Sequence, residues 1–578
     1  MTNAQIAAAF EELADLYELD GAVSYRVLAY RTAAKTVRES SVSVEQLTRD
    51  GKVTELPGIG KTLETKLQTL IDTGDMTQSV KLRSQFPSGV IAMMHLPGFG
   101  PKRARRLYDE LGIDSLDKLR AAAESQQLRS LRGFGAKAEE KLLETLAAGH
   151  DGTPQPRWLL SRAEPVAEQL VDALRAAPGA HEVKAAGSLR RKADAVKDLD
   201  IVATTDDAQA LVGTLTGHPL VDSVDQSGEA GARVTLHSGM KVDLKIVAPD
   251  QFGNVLQHFT GSKNHNVQMR EAAVRRGLHV SEYGVLDDAT GETLRCPTEE
   301  AVYERLGMGW IPPELREGRG ELEAAAAGSL PELVTLDDLR GDLHSHTTMS
   351  DGRQDVEAMA AGARERGYEY FAITDHSATH GFGNHVTPDQ LREQIERIRA
   401  LDAGLDGFDL LIGTETNILP DGSLDYDDEL LEQLDWVVAS AHTSFNMSEQ
   451  DMTARMVTAI EHPLVDVIGH PTGRKIETRA PYAIDMEQVI EAAARTHTML
   501  EINAAPDRRD LNELNARAAA AAGVLIVLDS DAHSVRNLGL MPYGVATARR
   551  AWLTPDQVAN TRPWAELDKL RKRSRAAA

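Results

Sequence analysis

Cysteine is almost absent from this chain of 578 residues. The single thiol, Cys296, excludes an internal disulfide and any cysteine-ligated zinc site, so a metal must be held by histidine and carboxylate. Long apolar runs are missing too: no stretch approaches the roughly 20 residues of a membrane span. The start, MTNAQIAAAFEELADLYELDG, lacks the basic residues and the small-residue cleavage site of a secretory signal. It reads as an amphipathic first helix, and a cytoplasmic chain with no membrane partner is expected. Positive charge is also short, with 63 Lys and Arg against 88 Asp and Glu and a net charge of −25. Taken as an average, that opposes a nucleic-acid partner, whose phosphates need basic surface. The average conceals segregation: residues 1–150 hold 20 basic against 20 acidic side chains, whereas residues 336–578 hold 24 against 40. The acidity therefore lies mainly in the second half. At about 150 residues per domain, a chain of this length is expected to form several, each with its own core.

The first 150 residues carry apolar positions at helical spacing, as in IAAAFEELADLYEL and YRVLAYRTAAKTV. A short pattern recurs there three times, LPGIG at 56–60, LPGFG at 96–100 and LRGFG at 131–135, each followed by a helical segment with an early basic residue. Backbone N–H groups at such a helix start, with the positive end of the dipole behind them, can hold a phosphate without reading a base. One copy alone reads rather as a tight turn between packed helices. Three copies with Lys61, Lys102, Arg103, Arg105 and Arg106 beside them read as phosphate-holding turns, and the pattern resembles helix-hairpin-helix DNA-backbone binders. Its glycines are Gly58, Gly60, Gly98, Gly100, Gly133 and Gly135.

From about residue 181 the rhythm changes to short β-rich segments: HEVKAAGSL, KDLDIVATT, GARVTLHSG and KVDLKIVAP. Asp198 and Asp200 are two apart on one of them, so both project from one face, and Asp243 lies on another that can pair beside it. Three converging carboxylates suit two Mg²⁺ or Mn²⁺ ions that activate an attacking hydroxyl and stabilise a leaving pyrophosphate. Just upstream, GSLRR at 187–191 offers a Gly187–Ser188 turn and Arg191 for a triphosphate tail. A helical and turn-rich stretch is expected to about 318, followed by EGRGELEAAAAGSLPELVT as a flexible small-residue connector.

From Leu336 onward, β-like and helical segments alternate, which implies an α/β barrel. Its polar clusters fall at strand ends, where such barrels carry their sites. They are HSH (His344, His346), SDG (Asp351), TDH (His376), GTE (Glu415), AHT (His442), GHP (His470) and DAH (Asp531, His533). Any one of these histidines alone is an ordinary polar residue; nine such groups at strand ends form a metal site. Mixed His and carboxylate donors favour Zn²⁺ or Mn²⁺ over Mg²⁺.

Glycine–serine, paired arginines, Asp-x-Asp and a later single Asp resemble the nucleotidyltransferase motif of family X DNA polymerases. HFTGSKNHNVQMREAAVRRGLHVSEYGV at 258–285 is similar to that family's FTGS-containing segment. The resemblance implies that Arg157, Ser188 and Arg191 contact the triphosphate of a dNTP, with Phe259 and Gly261 along the sugar. It also implies Asn266 near the minor-groove edge, Arg270 on the template side, and Lys66 where lyase-active relatives place a Schiff-base lysine. Two positions depart from the vertebrate pattern: Lys197 stands where those relatives have glycine, and His258 where they have tyrosine.

The second half resembles the PHP (polymerase and histidinol phosphatase) domain. That resemblance implies up to three Zn²⁺ or Mn²⁺ ions, the first on His344, His346, Glu415 and Asp531. Asp351, His376 and His533 would hold the second, and Glu415, His442 and His470 the third. Together the halves resemble bacterial family X polymerases with a C-terminal PHP domain. The implied fold is a multidomain α+β and α/β chain: helix-hairpin-helix domains (1–85 and 86–156), a mixed-sheet palm (157–249), a thumb (250–318), a linker (319–335) and a distorted TIM-like PHP barrel (336–578). The implied function is short-gap DNA synthesis in repair coupled to 3′→5′ exonuclease action on gapped or primer-template DNA, by a monomer. Two other readings stand beside it: a DNA-docking first half that delivers a nuclease, and a small-molecule phosphatase of histidinol-phosphate type.

Overall fold

The computed structural model describes residues 1–40, 42–94, 96, 99–130, 139, 142, 143, 146, 157–379, 381 and 384–577. The chain forms two compact units, one of residues 1–158, 165–184 and 197–247, the other of 159–164, 185–196 and 248–578.

In the first unit, helix Asn3–Leu19 opens on a Thr2–Gln5 capping box and packs against helix Ser24–Glu39 around buried Phe10, Leu13, Ala33 and Val37. Helix Lys61–Thr73 starts at Gly60 and stops at left-handed Gly74; Leu67 and Leu70, three apart, face the same core. A five-stranded sheet completes the unit: β1 (Ala180–Ala185), β2 (Asp198–Thr205), β3 (Val221–Gly228), β4 (Gly231–Leu236) and β5 (Lys241–Ile246), in the order β1-β2-β5-β4-β3. The sheet is mixed, because β2 and β5 run parallel while β4 is antiparallel to both β5 and β3. β3 has no counterpart among the segments read from sequence; its residues are almost all exposed, so apolar alternation does not announce it.

The second unit holds two cores. In the first, helix Lys263–Val274 and helix Glu299–Arg305 pack beside three strands, β6 (Leu278–Ser281), β7 (Gly284–Asp287) and β8 (Thr293–Leu294), where only helices and turns were expected. The 319–335 segment also departs from expectation. It contains helix Glu321–Ala327, whose Leu322 and Ala325 are buried, and Glu321 is itself buried against His265 Nδ1 at 2.7 Å. A paired buried carboxylate and two apolar anchors hold this segment in place, which small-residue composition alone does not reveal.

Glu299 is buried between Arg190, at 2.6 and 2.8 Å, and Arg316. Burial pushes its carboxyl up, but Arg316 and Arg190 outweigh burial and hold it at about 2. Because the folded value is depressed, this stabilisation is present above the ordinary carboxylate range and is lost as pH falls through about 2; its size is on the order of 3 kcal/mol. Glu299→Gln is therefore expected to lower the thermal midpoint at pH 7, with the gap to wild type narrowing between pH 5 and pH 2. Thermal melts across that range test this, and a gap independent of pH contradicts it.

The second core is a seven-stranded, all-parallel sheet whose strands follow sequence order. They are β9 (Gly341–Asp342), β10 (Tyr370–Ile373), β11 (Asp409–Asn417), β12 (Trp436–Ser440), β13 (Val467–Ile468), β14 (Met499–Asn503) and β15 (Ile526–Asp529). A helix links each strand to the next, as parallel pairing requires. A parallel bridge between Ser345 and Ala532 joins the first strand's extension to the last, so the sheet nearly closes into a barrel. β10 and β12 are buried along their whole lengths, which suits strands covered on both faces. Among the described residues, no helix is long and apolar enough to cross a membrane.

Candidate active sites

On β2, buried Leu199 and Ile201 alternate with half-buried Asp198 and Asp200, so the period of the strand turns both carboxylates away from the core. Asp200 lies directly across from Asp243 in the parallel β2–β5 register. Arg233, opposite Asp243 on β4, donates to its carboxylate at 2.6 Å. That hydrogen bond, then the charge of Asp243 and more weakly those of Asp225 and Asp198, raises the Arg233 pKa. The three aspartates thus share one sheet face with a balancing guanidinium that motif reading missed.

The proposed nucleotide contacts Gly187, Ser188 and Arg191 belong to the other unit. Gly187 opens the short helix Gly187–Arg190 with φ 63°, and Arg191 donates to the Thr260 carbonyl at 2.6 Å and to Glu317 at 3.1 Å. A Cβ on Gly261 would stand 3.3 Å from Arg191 Nη1, so the GSLRR and TGS segments meet closely. Asn266 accepts from Gln257 at 2.8 Å and donates to the His258 carbonyl at 2.8 Å, beside half-buried Phe259. Arg157 and Arg270 are exposed.

In the helical region, Gly58 has φ 80° and leads through Gly60 to exposed Lys61 at the start of its helix. Gly100, with φ 72°, opens helix Gly100–Leu111, whose first turn exposes Lys102 and Arg103. Arg105 and Arg106 instead pair one turn on, with Asp109 at 2.6 Å and Glu110 at 2.9 Å. Gly98, Gly133 and Gly135 lie outside the described residues. Lys66 is half-buried with Nζ 5.8 Å from the Tyr30 ring centre, and burial lowers its pKa.

The strand-end residues of the barrel converge. Glu415 on β11 is the hub: its carboxylate lies 2.7 Å from His376, 2.9 Å from His470, 3.2 Å from His442, 3.4 Å from His344 and 3.7 Å from His346. Asp531 stands 3.0 Å from His346, and Asp351 3.3 Å from His533 and 3.6 Å from His376. Burial raises the Glu415 carboxyl, but His442, His376 and His344 outweigh it and hold it well below the usual range. Burial opposes charge on His533 as well, yet its hydrogen bond to Asp351 and the charge of Asp531 lift it to about 9. His346 is pushed down to about 4, by burial and by His376 and His533. His470 and Asp531 adopt positive φ values of 28° and 52°, the kind of local strain that recurs where side chains are aimed at a ligand.

This donor set suits divalent cations. Among the described residues, four groupings place their candidate ligand atoms within 4.8 Å of one another: His346, Asp351, His376 and His533; His344, His346 and Asp531; His376, Glu415 and His442; and His344, Glu501 and Asp529. His346 is common to the first two, whereas the expected partition gave it to one ion. Buried His344 Nε2, His346 Nδ1 and both Glu415 oxygens make no well-directed hydrogen bond despite the groups crowded around them, a costly arrangement for polar atoms unless something cationic completes it. Behind the cluster, Glu501 on β14 meets His344 Nδ1 at 2.6 Å and accepts from the backbone N–H of His470. Carboxylates placed in this way orient a ligating imidazole. Glu501 was not among the residues singled out from sequence, although an acid late in a strand, as in GTE, was the available signal.

Comparison with known proteins places these features in a family context. Residues 1–76 match the helix-hairpin-helix domain, 90–148 the SAM-like helix-hairpin-helix tandem, 255–317 the DNA polymerase beta thumb, and 342–505 the PHP domain. A "DNA polymerase/3'-5' exonuclease PolX" from Bacillus subtilis (strain 168) is 38% identical over 576 residues, covering 99% of this chain and 100% of that protein. A "probable phosphatase" from Shewanella sediminis is 34% identical over 40% of this chain and 94% of its own length. A "probable phosphatase" from a Thermoanaerobacter species is 31% identical over 38% of this chain and 89% of its own.

Proposed function

Because this chain belongs to the DNA polymerase/3′-5′ exonuclease PolX family, we propose that it is a cytoplasmic repair enzyme that fills short DNA gaps from dNTPs and trims 3′ ends at its PHP barrel. The observation that carries this reading is the presence of two separate carboxylate-centred sites, one on the mixed sheet and one on the barrel. Asp198, Asp200 and Asp243 would bind Mg²⁺ or Mn²⁺; Gly187, Ser188 and Arg191 are the proposed triphosphate contacts, with Arg157 assisting. Phe259 and Gly261 would line the sugar, with Asn266 and Arg270 toward the primer-template duplex. Addition forms a bond from the primer 3′ oxygen to the α-phosphorus and releases pyrophosphate. At the barrel, the nine His, Asp and Glu side chains would bind up to three Zn²⁺ or Mn²⁺ ions. Divalent cations in such sites supply Lewis acidity and neutralise charge that builds on phosphate oxygens. Hydrolysis there adds water across the terminal phosphodiester, leaving a free 3′ hydroxyl and a nucleoside monophosphate.

The test is a time course on one-nucleotide-gapped DNA with Mn²⁺, with and without dNTPs. Extension by one nucleotide with dNTPs and shortening without them are expected. Shortening without any extension would make the first half a docking module.

The phosphatase relatives of the barrel half favour a second activity at the same site, removal of a 3′ phosphate. Release of inorganic phosphate from a 3′-phosphorylated gap substrate tests it, and an intact 3′ phosphate argues against it. Lys66, with its lowered pKa, is proposed as the nucleophile of a 5′-deoxyribose-phosphate lyase step. Borohydride trapping of DNA on the wild type but not on Lys66→Ala is expected; equal trapping on both removes that role.

A further inference from the structure

A cavity of about 650 Å³ opens from the barrel's histidine cluster, within the size range of small-ligand sites. Four of its lining side chains lie outside the nine clustered groups and come from three loops: Phe445 after β12, Lys475 and Arg479 after β13, and Arg508 after β14. Arg508 reaches to 3.7 Å from Asp531, its side chain is only 15% exposed, and its Nη1 is buried with no hydrogen-bond partner. Lys475 has Asp507 at 3.8 Å. Burial, then the charge of Arg508, lowers the pKa of both Lys475 and Arg479, as expected when cations are crowded without enough anion between them.

The aromatic part of this wall is rigidly mounted. The Arg479 guanidinium lies 4.4 Å from the Phe445 ring centre, and the Tyr482 ring runs nearly parallel to Phe445, with centres 6.0 Å apart and an interplanar angle of 10°. Arg479 is tied to the Gly473 carbonyl at 2.7 Å, and the Tyr482 hydroxyl to the Pro471 carbonyl at 2.6 Å. Phe445 and Arg479 also form the near wall of a second cavity of about 940 Å³, lined onward by Asn446, Met447, Pro481 and Tyr482 and by no acidic side chain. The two cavities therefore form a groove running outward from the metal-ligating cluster, with a planar cation–aromatic pair at its joint. A small phosphomonoester needs no such extension. A polynucleotide end does, because it brings alternating phosphates and flat bases, which cationic grooves and aromatic faces hold.

Resting on the nuclease reading above, we propose that this groove is the binding site for the last nucleotides of a single-stranded 3′ end. Phe445 and Arg479 stack the terminal bases, and Arg508 and Lys475 hold the phosphates beside the cluster. A base paired and stacked within duplex cannot offer its face to Phe445, so the end must fray before it enters.

The experiment uses the full-length chain with Mn²⁺ and two 5′-labelled single-stranded oligonucleotides, one with an ordinary 3′ end and one whose last three residues lack bases. Wild type is expected to degrade the ordinary end faster, by roughly tenfold or more, given a stacking contribution of about 1–3 kcal/mol per base. Phe445→Ala should lose that preference, Phe445→Tyr should restore it, and Arg508→Gln should raise KM on both oligonucleotides alike. Wild-type rates and preference in Phe445→Ala would overturn the groove while leaving the nuclease reading intact. Failure of the wild type to shorten either oligonucleotide would remove both.

Discussion

Asp200→Ala is expected to lower nucleotide addition at least ~10³-fold while 3′ degradation continues at the wild-type rate. Asp200 sits in register with Asp243 and two residues from Asp198 on the same strand face, so its loss removes the middle of three converging carboxylates. Ion-assisted stabilisation of phosphoryl transfer is worth several kcal/mol, and each ~1.4 kcal/mol is a factor of ten in rate. With one carboxylate gone, Arg233 is left to neutralise much of what remains around Asp243, which further weakens the attraction for a cation. Single-turnover addition to one-nucleotide-gapped DNA reads this directly. Addition within tenfold of wild type would mean that Asp200 holds no essential ion and that nucleotide addition does not run through this sheet face.

Glu415→Gln should produce the reverse, a loss of ~10³-fold or more in 3′ degradation with nucleotide addition retained. The substitution preserves volume and removes the one anion that five histidines face. Without it the nine-group cluster keeps its imidazoles but, of its own three carboxylates, only Asp351 and Asp531, so bound Zn²⁺ or Mn²⁺ per chain should fall. Element analysis of the purified variant beside the degradation assay separates this from a packing defect. Full metal content with full degradation would show that the hub carboxylate is dispensable.

The barrel and its cluster were legible because most of the candidate ligands sit at or just beyond the end of a short buried strand, and such ends share short polar signatures, TDH, GTE, AHT and GHP. The Asp198–Asp200 pair was legible because a strand's two-residue period is local. What escaped notice depends on distance along the chain. Arg233 reaches Asp243 only through the β4–β5 register. Phe445, Arg479 and Arg508 come from three different loops and acquire a common purpose only when successive strands lie side by side. β3 is polar along almost its whole length, and β6–β8 are two to four residues each, too short for a period to show. The 319–335 segment misled for a different reason: alanine-rich composition suits a loose tether and a packed helix equally, and the buried Glu321–His265 contact decides between them.

Because the seven strands follow sequence order, the barrel's cluster joins its first loop to its last: His346 and Asp531 are 185 residues apart along the chain and 3.0 Å apart in space. Closing so long a span is slow compared with local folding, and on the ribosome it must wait until β15 has emerged. The gap-filling half is complete in the nascent polypeptide long before then. The order of synthesis thus builds the part that adds nucleotides first and arms the part that removes them only after β15 has been made.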